Sequence, residues 1–336
     1  MPVEARPTVA AIVPHWNRRD LLPSLFESLG KQQRLFDEVI VADNGSTDDS
    51  AALAESLGAR VLRLGQNVGF AAAVNRGIEA ARTEWIAILN NDVTLDPGWL
   101  AQILDSATTS RPTSSSKPAF ATGKTLNASN PTLLDGTYDE ISRGAGALRC
   151  GAGKPDSPVW NEERTIRFAP MTAALFRRDL FTDVGGLDES FGSYLEDVDF
   201  GIRCAALGKS GLYVPAAVAY HRGSSTLGRW SSDTVWRISR NQVLLAAKHF
   251  QGQPTLPVLA GQLLWGLVAV RHGAGLAFLR GKIAGLIGRR NREKSAGAAP
   301  QVLSAIFEAS EREILAIQRK TGFDRYWRAY FWLARP

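Results

Sequence analysis

The chain has 336 residues, 45% hydrophobic and 21% charged, with a formal net charge of +6, a globular composition long enough for one large domain or two ordinary ones. Its two cysteines, Cys150 and Cys204, stand far apart with no pair spacing. They argue against a disulfide scaffold and a zinc site and fit a reducing compartment, and the N-terminus shows no apolar signal core.

Val9-Ala10-Ala11-Ile12-Val13 is a short apolar run halted by Pro14 and reads as a buried strand. Leu21, Leu22, Leu25, Phe26 and Leu29 recur at helical spacing. Glu38-Val39-Ile40-Val41-Ala42 is a second strand, ending in Asp43-Asn44-Gly45-Ser46-Thr47-Asp48. Leu53 and Leu57 mark a helix, Val61-Leu62-Arg63-Leu64 a strand, the Ala-rich stretch 69–81 a helix, and Trp85-Ile86-Ala87-Ile88-Leu89 another buried strand. Short apolar strands between helices predict a parallel sheet covered on both faces. Ligands of such sheets bind beyond the carboxyl ends of the strands, where the polar residues after Ala42 and Leu89 fall.

Residues 106–160 are richer in Ser, Thr, Gly and Pro, and predict a surface loop around 108–116, then short strands and turns to about Trp160. A strand follows at 165–168 and a helix starts near Arg178. The acidic segment at 194–200 opens another helix running to Leu207. Residues 211–214 and 216–220 are extended, and from Asp233 the pattern is helical to Phe250.

Residues 256–270 are apolar apart from Gln262 and glycines, shorter than the roughly 20 that a span needs. After Arg271-His272 come another apolar stretch, 274–279, and then Arg280, Lys282, Arg289, Arg290, Arg292 and Lys294. This alternation suits helices lying in a membrane interface, with burial against the rest of the protein as the competing explanation. Residues 1–221 carry 21 Lys+Arg against 27 Asp+Glu, whereas 222–336 carry 18 against 6 and five of the nine tryptophans. Basic charge interleaved with Trp suits a surface facing anionic lipid or nucleic acid; a merely soluble basic tail is the plain alternative.

Several polar clusters fall at loop positions. Tyr194-Leu195-Glu196-Asp197-Val198-Asp199-Phe200 sets three carboxylates among apolar neighbours. Carboxylates so placed lose hydration and shift pKa, bind a cation or serve as a base, although acids also gather at helix N-termini. In 43–48 the small residues permit a tight turn, and an acid there can accept hydrogen bonds from a base or ribose; Asn-Gly-Ser is also ordinary turn chemistry. In 67–77, Gly69 and the alanines let a helix start close to a ligand, with Asn75 and Arg76 able to reach a nucleotide; a packing helix fits equally. Asn90-Asn91-Asp92 offers one carboxylate and amide oxygens, suited to a hard divalent cation or to a strand-ending turn. His221 either completes such a site or is a satisfied surface histidine.

In this order the motifs resemble the family 2 glycosyltransferases, inverting enzymes of the GT-A fold. The matching stretches are 12–18, 38–48, Asn67-Val68-Gly69-Phe70, Leu89-Asn90-Asn91-Asp92, 174–178, 184–189, 194–200 and Tyr220-His221-Arg222-Gly223. The resemblance spans roughly residues 8–245, and the branch most alike is the bacterial rhamnosyltransferase-like group that builds surface polysaccharides. It implies that Pro14, Asn17 and Asp43 line the pocket for base and ribose, and that Asn67, Gly69, Asn75 and Asn91 lie along the nucleotide and diphosphate. Asp92 then binds the metal, with His221 as a possible helper. Asp197 is the catalytic base, Glu196 supports it or the acceptor, and Asp199 is structural. Gly186, Asp188 and Glu189 belong to the turn beside the acceptor. The sequence departs from the family pattern at three places: Asn90 replaces the first acid of the Asp-x-Asp motif, Met171-Thr172 replaces a small pair, and Gly192 replaces a frequent aromatic.

The expected architecture is an α/β GT-A domain over 1–232, a Rossmann-like mixed sheet with helices on both faces. Its nucleotide-sugar half covers about 8–105 and its acceptor half about 106–232. A helical, basic region, 233–336, serves the membrane interface or oligomerisation, a homodimer being one outcome. The expected donor is a nucleotide diphosphate-sugar, with Mg2+ or Mn2+, and the acceptor is a glycan or polyprenyl-linked glycan. No nucleic-acid partner is expected. The location is cytoplasmic, peripheral on the inner face of the membrane. Three rival readings have their own signatures. A sugar nucleotidyltransferase calls for a Gly-rich basic loop near the N-terminus, and Pro14 to Arg19 has no glycine. A non-catalytic glycan- or membrane-binding protein would bind no nucleotide diphosphate. A processive synthase would carry Gln-x-x-Arg-Trp where this chain has Thr226-Leu227-Gly228-Arg229-Trp230.

Overall fold

The computed structural model describes residues 6–109, 117–223, 230–288 and 298–334. Of the loop expected at 108–116, Thr108 and Thr109 instead end a helix, while 110–116, Thr226 to Arg229, and the basic residues Arg289, Arg290, Arg292 and Lys294 lie outside the described residues.

Four parallel strands form one half of the main sheet in the order β3 (Arg60–Arg63), β2 (Glu38–Asp43), β1 (Val9–His15), β4 (Trp85–Leu89). Residues 9–13 of β1 are fully buried because both faces of the sheet are covered. Val9, Ala11 and Val13 pack with Leu22, Leu25 and Leu29 of α1 (Leu22–Gly30). Ala10 and Ile12 pack on the opposite face with Ala71 and Val74 of α3 (Phe70–Ala80), a helix preceded in the chain by α2 (Ser50–Ser56). A Cβ on Gly77 would lie 2.4 Å from Ile12 Cγ2, so glycine there lets α3 sit close on the strand.

Beyond β4 the sheet is mixed rather than purely parallel. β5 (Val93–Leu95) and α4 (Trp99–Thr109) follow β4, and then β6 (Phe120–Asn127) and β7 (Asn130–Gly136) form an antiparallel pair. A two-stranded ribbon, β8 (Asp139–Ile141) and β9 (Ala147–Arg149), comes next, followed by β10 (Arg164–Ile166). β11 (Ala173–Arg177) runs antiparallel to both β4 and β6, and β12 (Gly211–His221) runs parallel to β6. Apolar runs such as 174–176 carry no mark of direction, so sequence periodicity alone is silent on this switch.

After α5 (Leu180–Val184), α6 (Glu196–Ala206) carries the acidic segment at its N-terminus. Among the described residues five further helices follow: α7 (Ser232–His249), α8 (Thr255–Arg271), α9 (Gly275–Gly288), α10 (Pro300–Thr321) and α11 (Arg325–Ala334). They share a core with the sheet domain. Val198 and Ile202 of α6 pack with Leu244 and Leu245 of α7 and with Leu303 and Phe307 of α10. Cys150 and Cys204 are free and buried. Among the described residues no helix is long and apolar enough to cross a membrane.

Candidate active site

Strand register brings three polar side chains from different elements to one corner. β12 pairs antiparallel with β5, setting His221 opposite Val93, so Asp92 and His221 emerge together. β6 pairs with β12 and β7, which delivers Asp135 to the other side of the imidazole. His221 Nε2 lies 3.0 Å from Asp92 Oδ1, and Nδ1 lies 2.8 Å from Asp135 Oδ2. Burial opposes charge on this ring, but the hydrogen bonds to Asp135 and Asp92 outweigh it and raise His221 to about 9.

The acidic segment faces the same cleft, whose volume is about 1170 Å³. The chain enters α6 through Tyr194 and Leu195, both left-handed at φ 73° and 67°. Two consecutive non-glycine residues in that region cost of order 1–3 kcal/mol each and persist only when their surroundings hold them. Asn241 of α7, fully buried, supplies that hold: its Nδ2 donates to the carbonyls of Phe191, Ser193 and Tyr194 at 2.9, 2.8 and 2.7 Å.

The three carboxylates that follow have three environments. Asp197 lines the cleft, and its Oδ1 accepts the backbone N–H of Val198 at 2.8 Å. Glu196 is buried with Oε2 lacking a hydrogen-bond partner among the described residues, and burial, then the neighbouring Asp197, pushes its carboxyl well above the usual range. Asp199 is fully buried against Arg203, Lys248 and His249 at 3.0, 2.8 and 2.7 Å. Burial alone would raise Asp199, but the His249 hydrogen bond and the two cations hold it well below the ordinary carboxylate range.

The opposite wall is built by the loops after β1, β2 and β3. Pro14, His15, Trp16, Asn44, Asn67 and Gly69 line it. Asn44 organises the wall: its Nδ2 donates to Asn67 Oδ1 at 3.1 Å and to the Gly69 carbonyl at 3.2 Å, while its Oδ1 accepts from Val68 N at 2.8 Å. Gly69 has φ 92°, and a Cβ on it would lie 3.0 Å from Gly192 Cα. The Ala71 N–H donates to the Gly192 carbonyl at 2.9 Å, so the start of α3 is tied to the loop before Asp197.

The structure thus gathers Pro14, Asn67, Gly69, Asn91, Asp92, Glu196, Asp197 and His221 around one cleft. Other candidate residues lie behind its walls with their polar atoms engaged. Asn17 Oδ1 accepts from Thr47 N at 2.9 Å, and Asp43 accepts from Ser46 N at 3.3 and 3.4 Å, so both brace a turn. Asn75 exchanges hydrogen bonds with the Leu187 backbone at 2.9 and 2.8 Å and donates to Glu189 at 3.0 Å. A Cβ on Gly186 would lie 2.8 Å from Asn75 Oδ1. Asp188 caps a short turn through Ser190 N at 3.1 Å and pairs with Lys248 at 2.9 Å. The 185–189 turn is therefore latched to α3 and α7.

Sequence reasoning missed several residues of the cleft. Asn91 Nδ2 donates to His15 Nδ1 at 3.0 Å, which assigns the proton to His15 Nε2, buried and without a partner among the described residues. Burial lowers the His15 imidazole against the pull of Asp48, Asp43 and Asp20. Arg149 faces Asp139 across the β8–β9 ribbon, donating to it at 2.6 Å and to Thr172 Oγ1 at 3.3 Å. The far end is walled by Arg237 and Gln242 of α7, Trp265 and Val268 of α8, and Trp327 of α11. Only the His15-Trp16 stretch, adjacent to a strand end, carried a usable signal; the others are united by tertiary structure.

An acid, an imidazole and a half-buried carboxylate thus converge at the carboxyl edge of β1, β2 and β4, where sheets of this kind receive their ligands. The pattern of "Glycosyl transferase family 2" matches residues 10–138, and that of "Glycosyl transferase family group 2" matches residues 166–281. The chain is 31% identical over 215 residues to an N-acetylglucosaminyl-diphospho-decaprenol L-rhamnosyltransferase of Mycobacterium tuberculosis, covering 57% of this chain and 68% of that one. Among solved structures it resembles a mannosyltransferase of Pyrobaculum calidifontis in complex with GDP-Man and Mn2+, with a TM-score of 0.53 at 18% identity over 97% of this chain and 86% of the other. It also resembles GalNAc-T7 with UDP, GalNAc and Mn2+, with a TM-score of 0.64 at 14% identity over 95% of this chain and 59% of the other. The chain belongs to the family 2 glycosyltransferases, on their rhamnosyltransferase-like branch, and has the GT-A fold with a helical C-terminal region. It is a glycosyltransferase, which sets aside the nucleotidyltransferase and non-catalytic readings.

Proposed function

We propose that this enzyme moves a hexose, rhamnose among the candidates, from a nucleotide diphosphate-sugar to a hydroxyl of a lipid-linked glycan, with inversion, in the synthesis of a bacterial surface polysaccharide. The observation that carries this reading is the placement of Asp197, which shares one cleft with the Asp92–His221 corner and with the Asn44–Asn67–Gly69 wall. The name of the mycobacterial relative, which specifies a decaprenol-linked acceptor and rhamnosyl transfer, supports the choice of acceptor and donor.

Asp197, at the N-terminus of α6, takes the proton of the acceptor hydroxyl as its oxygen attacks the anomeric carbon. The bond to the diphosphate breaks on the far side, and the nucleoside diphosphate leaves. One positioned carboxylate suffices because the leaving group is already good. The donor's base and ribose lie along Pro14, Trp16 and Asn44, and its diphosphate along Asn67, Gly69 and Asn91. Behind the wall, Asn17 and Asp43 hold the nucleotide loop. Asn75 holds α3 to the 185–189 turn, whose Gly186, Asp188 and Glu189 support the acceptor side.

The donor set fits a hard divalent cation, Mg2+ or Mn2+, provided that the ion displaces the proton His221 holds between Asp92 and Asp135. One carboxylate and one imidazole nitrogen stand side by side, and no group of three or more His, Cys, Asp or Glu that could hold an ion occurs among the described residues. An ion held by Asp92 and His221 would therefore take its other ligands from the diphosphate and water, and would offset the charge developing on the leaving group. Asn90, in place of a second acid, leaves His221 as the companion ligand.

Residues 1–232 act as the catalytic unit, and 233–336 hold the enzyme at the inner face of the cytoplasmic membrane, where the acceptor resides, or join two copies. One sugar is added per encounter. The test is product analysis with a panel of nucleotide-sugars and a short polyprenyl diphosphate-linked acceptor in the presence of Mn2+. A β- or α-linked product opposite in configuration to the donor is expected, and retention of configuration would refute the mechanism.

A further inference from the structure

A helix that is apolar around its whole circumference is normally buried on all sides. α8 and α9 break that rule. α8 turns Pro257, Ala260, Gly261 and Ala269 inward and leaves Leu256, Leu259, Leu263, Leu267 and Val270 between 57% and 65% exposed. α9 turns Ala277, Gly281 and Gly285 inward and leaves Leu276, Leu279, Ile283 and Ile287 between 56% and 62% exposed. Leu and Ile at three- and four-residue spacing on both helices make two apolar rows.

The two rows lie side by side. A Cβ on Gly275 would meet Val270, one on Gly266 would meet Phe278, and Lys282 Nζ donates to Gln262, so the helices pair antiparallel in a fixed register. The hairpin is also fixed to the enzyme. A Cβ on Gly281 would lie 2.4 Å from the Trp236 carbonyl and one on Gly285 2.7 Å from the Arg240 carbonyl, a glycine seam that lets α9 press directly onto α7. On the other side a Cβ on Gly261 would lie 2.6 Å from the Gly144 carbonyl, close to the β8–β9 ribbon.

Chemistry selects among the occupants of such a face. Its exposed rows are aliphatic, with none of the Tyr and Trp anchors that dominate protein interfaces. From residue 234 to 292 the sequence has no Asp or Glu, and Arg271 and Arg280 are exposed at the turn end of the hairpin. Aliphatic rows bordered by cations, on two helices that carry no acidic residue, complement an anionic lipid surface, and helices of 17 and 14 residues are too short to cross one. The other side of α8 carries Trp265 and Val268, which wall the far end of the catalytic cleft. One helix, about 10 Å across, thus separates the cleft from the apolar face.

We propose that the outer face of the α8–α9 hairpin docks into the interface of an anionic bilayer and sets the acceptor end of the cleft at the lipid surface. The orientation deepens the reading of the acceptor as lipid-linked and rests on it; the docking itself does not.

The test is flotation of the full chain with vesicles of equal phosphatidylglycerol and phosphatidylcholine, and with phosphatidylcholine alone. The wild-type chain is expected to float with the anionic vesicles. The triple variant L263S/L267S/I283S is expected to bind at least about tenfold more weakly. R271E/R280E is expected to lose preference for the anionic vesicles while keeping its melting temperature. Circular dichroism checks that each variant is folded. Nucleotide-sugar turnover is measured on the same samples. A folded wild-type chain that fails to float, or a triple variant that floats like wild type, overturns the proposal. So does a dimer in sedimentation that the same substitutions dissociate without any vesicle binding. Flotation without turnover of any nucleotide-sugar would instead refute the reading of the cleft and leave the docking face standing.

Discussion

Asp135 Oδ2 lies 2.8 Å from His221 Nδ1, on the side of the ring away from Asp92. A histidine that donates its second nitrogen to a carboxylate is held in one orientation, and once Nε2 loses its proton that nitrogen faces whatever stands beside Asp92. Removing the partner's charge should loosen that commitment without touching the ion or the donor. D135N is expected to weaken Mn2+-dependent binding of a nucleoside diphosphate by about 10–100-fold, as measured by calorimetry, with metal-free binding unchanged. Equal affinity in the variant would show that the pair is only structural.

Asn241 acts at a distance from any substrate. It anchors three backbone carbonyls of the loop that carries Asp197, and two residues of that loop are left-handed. N241A should cost about 1–3 kcal/mol of stability, because buried carbonyls lose their donor. It should also lower kcat while KM for the nucleotide-sugar stays near the wild-type value. A variant that melts early yet turns over normally would restrict Asn241 to packing.

Asp199 couples α6 to α7 electrostatically. Its folded pKa is held below the unfolded value of about 3.9. The stabilisation is therefore fully present above that value and is lost as pH falls below it toward the folded pKa. D199N leaves Lys248, Arg203 and His249 without their shared counter-charge and is expected to destabilise the protein by about 3–5 kcal/mol at neutral pH. Denaturant melts from pH 7 down to pH 3 should show a gap between wild type and variant that narrows as the acid limb is reached.

Glu196 and Asp197 are adjacent but have opposite environments. Burial, then the neighbouring Asp197, pushes the Glu196 carboxyl upward toward its neutral form, whose shape an amide reproduces. E196Q should retain activity within a few-fold of wild type. A collapse of turnover with unchanged folding would move the base to Glu196.

The succession of strands and helices over the first ninety residues was legible because buried strands and amphipathic helices alternate there with clear punctuation. The same holds for the N-terminus of α6, where acids and apolar residues interleave. Asp92 and His221 were legible as separate candidates, but their 3.0 Å contact depends on β5–β12 pairing between residues far apart in the chain. Asp135, Arg149 and Asn241 left no local trace, since an Asp in a strand, an Arg in a turn-rich stretch and an Asn in a helix have ordinary neighbours. Asn17, Asp43 and Asn75 had the right residue types at the right places, yet their side chains are spent on turns and on the Leu187 backbone. Sequence pattern locates a polar side chain near a site; only packing decides whether it faces the ligand.

The central claim is that Asp197 removes the acceptor proton. D197N keeps the shape of the side chain and its place at the head of α6 while removing the base. Single-turnover transfer from a bound nucleotide-sugar, measured alongside donor affinity, should show a rate lower by about 10²–10⁴-fold with donor binding intact. Transfer at the wild-type rate by a folded, donor-binding D197N enzyme would contradict the account.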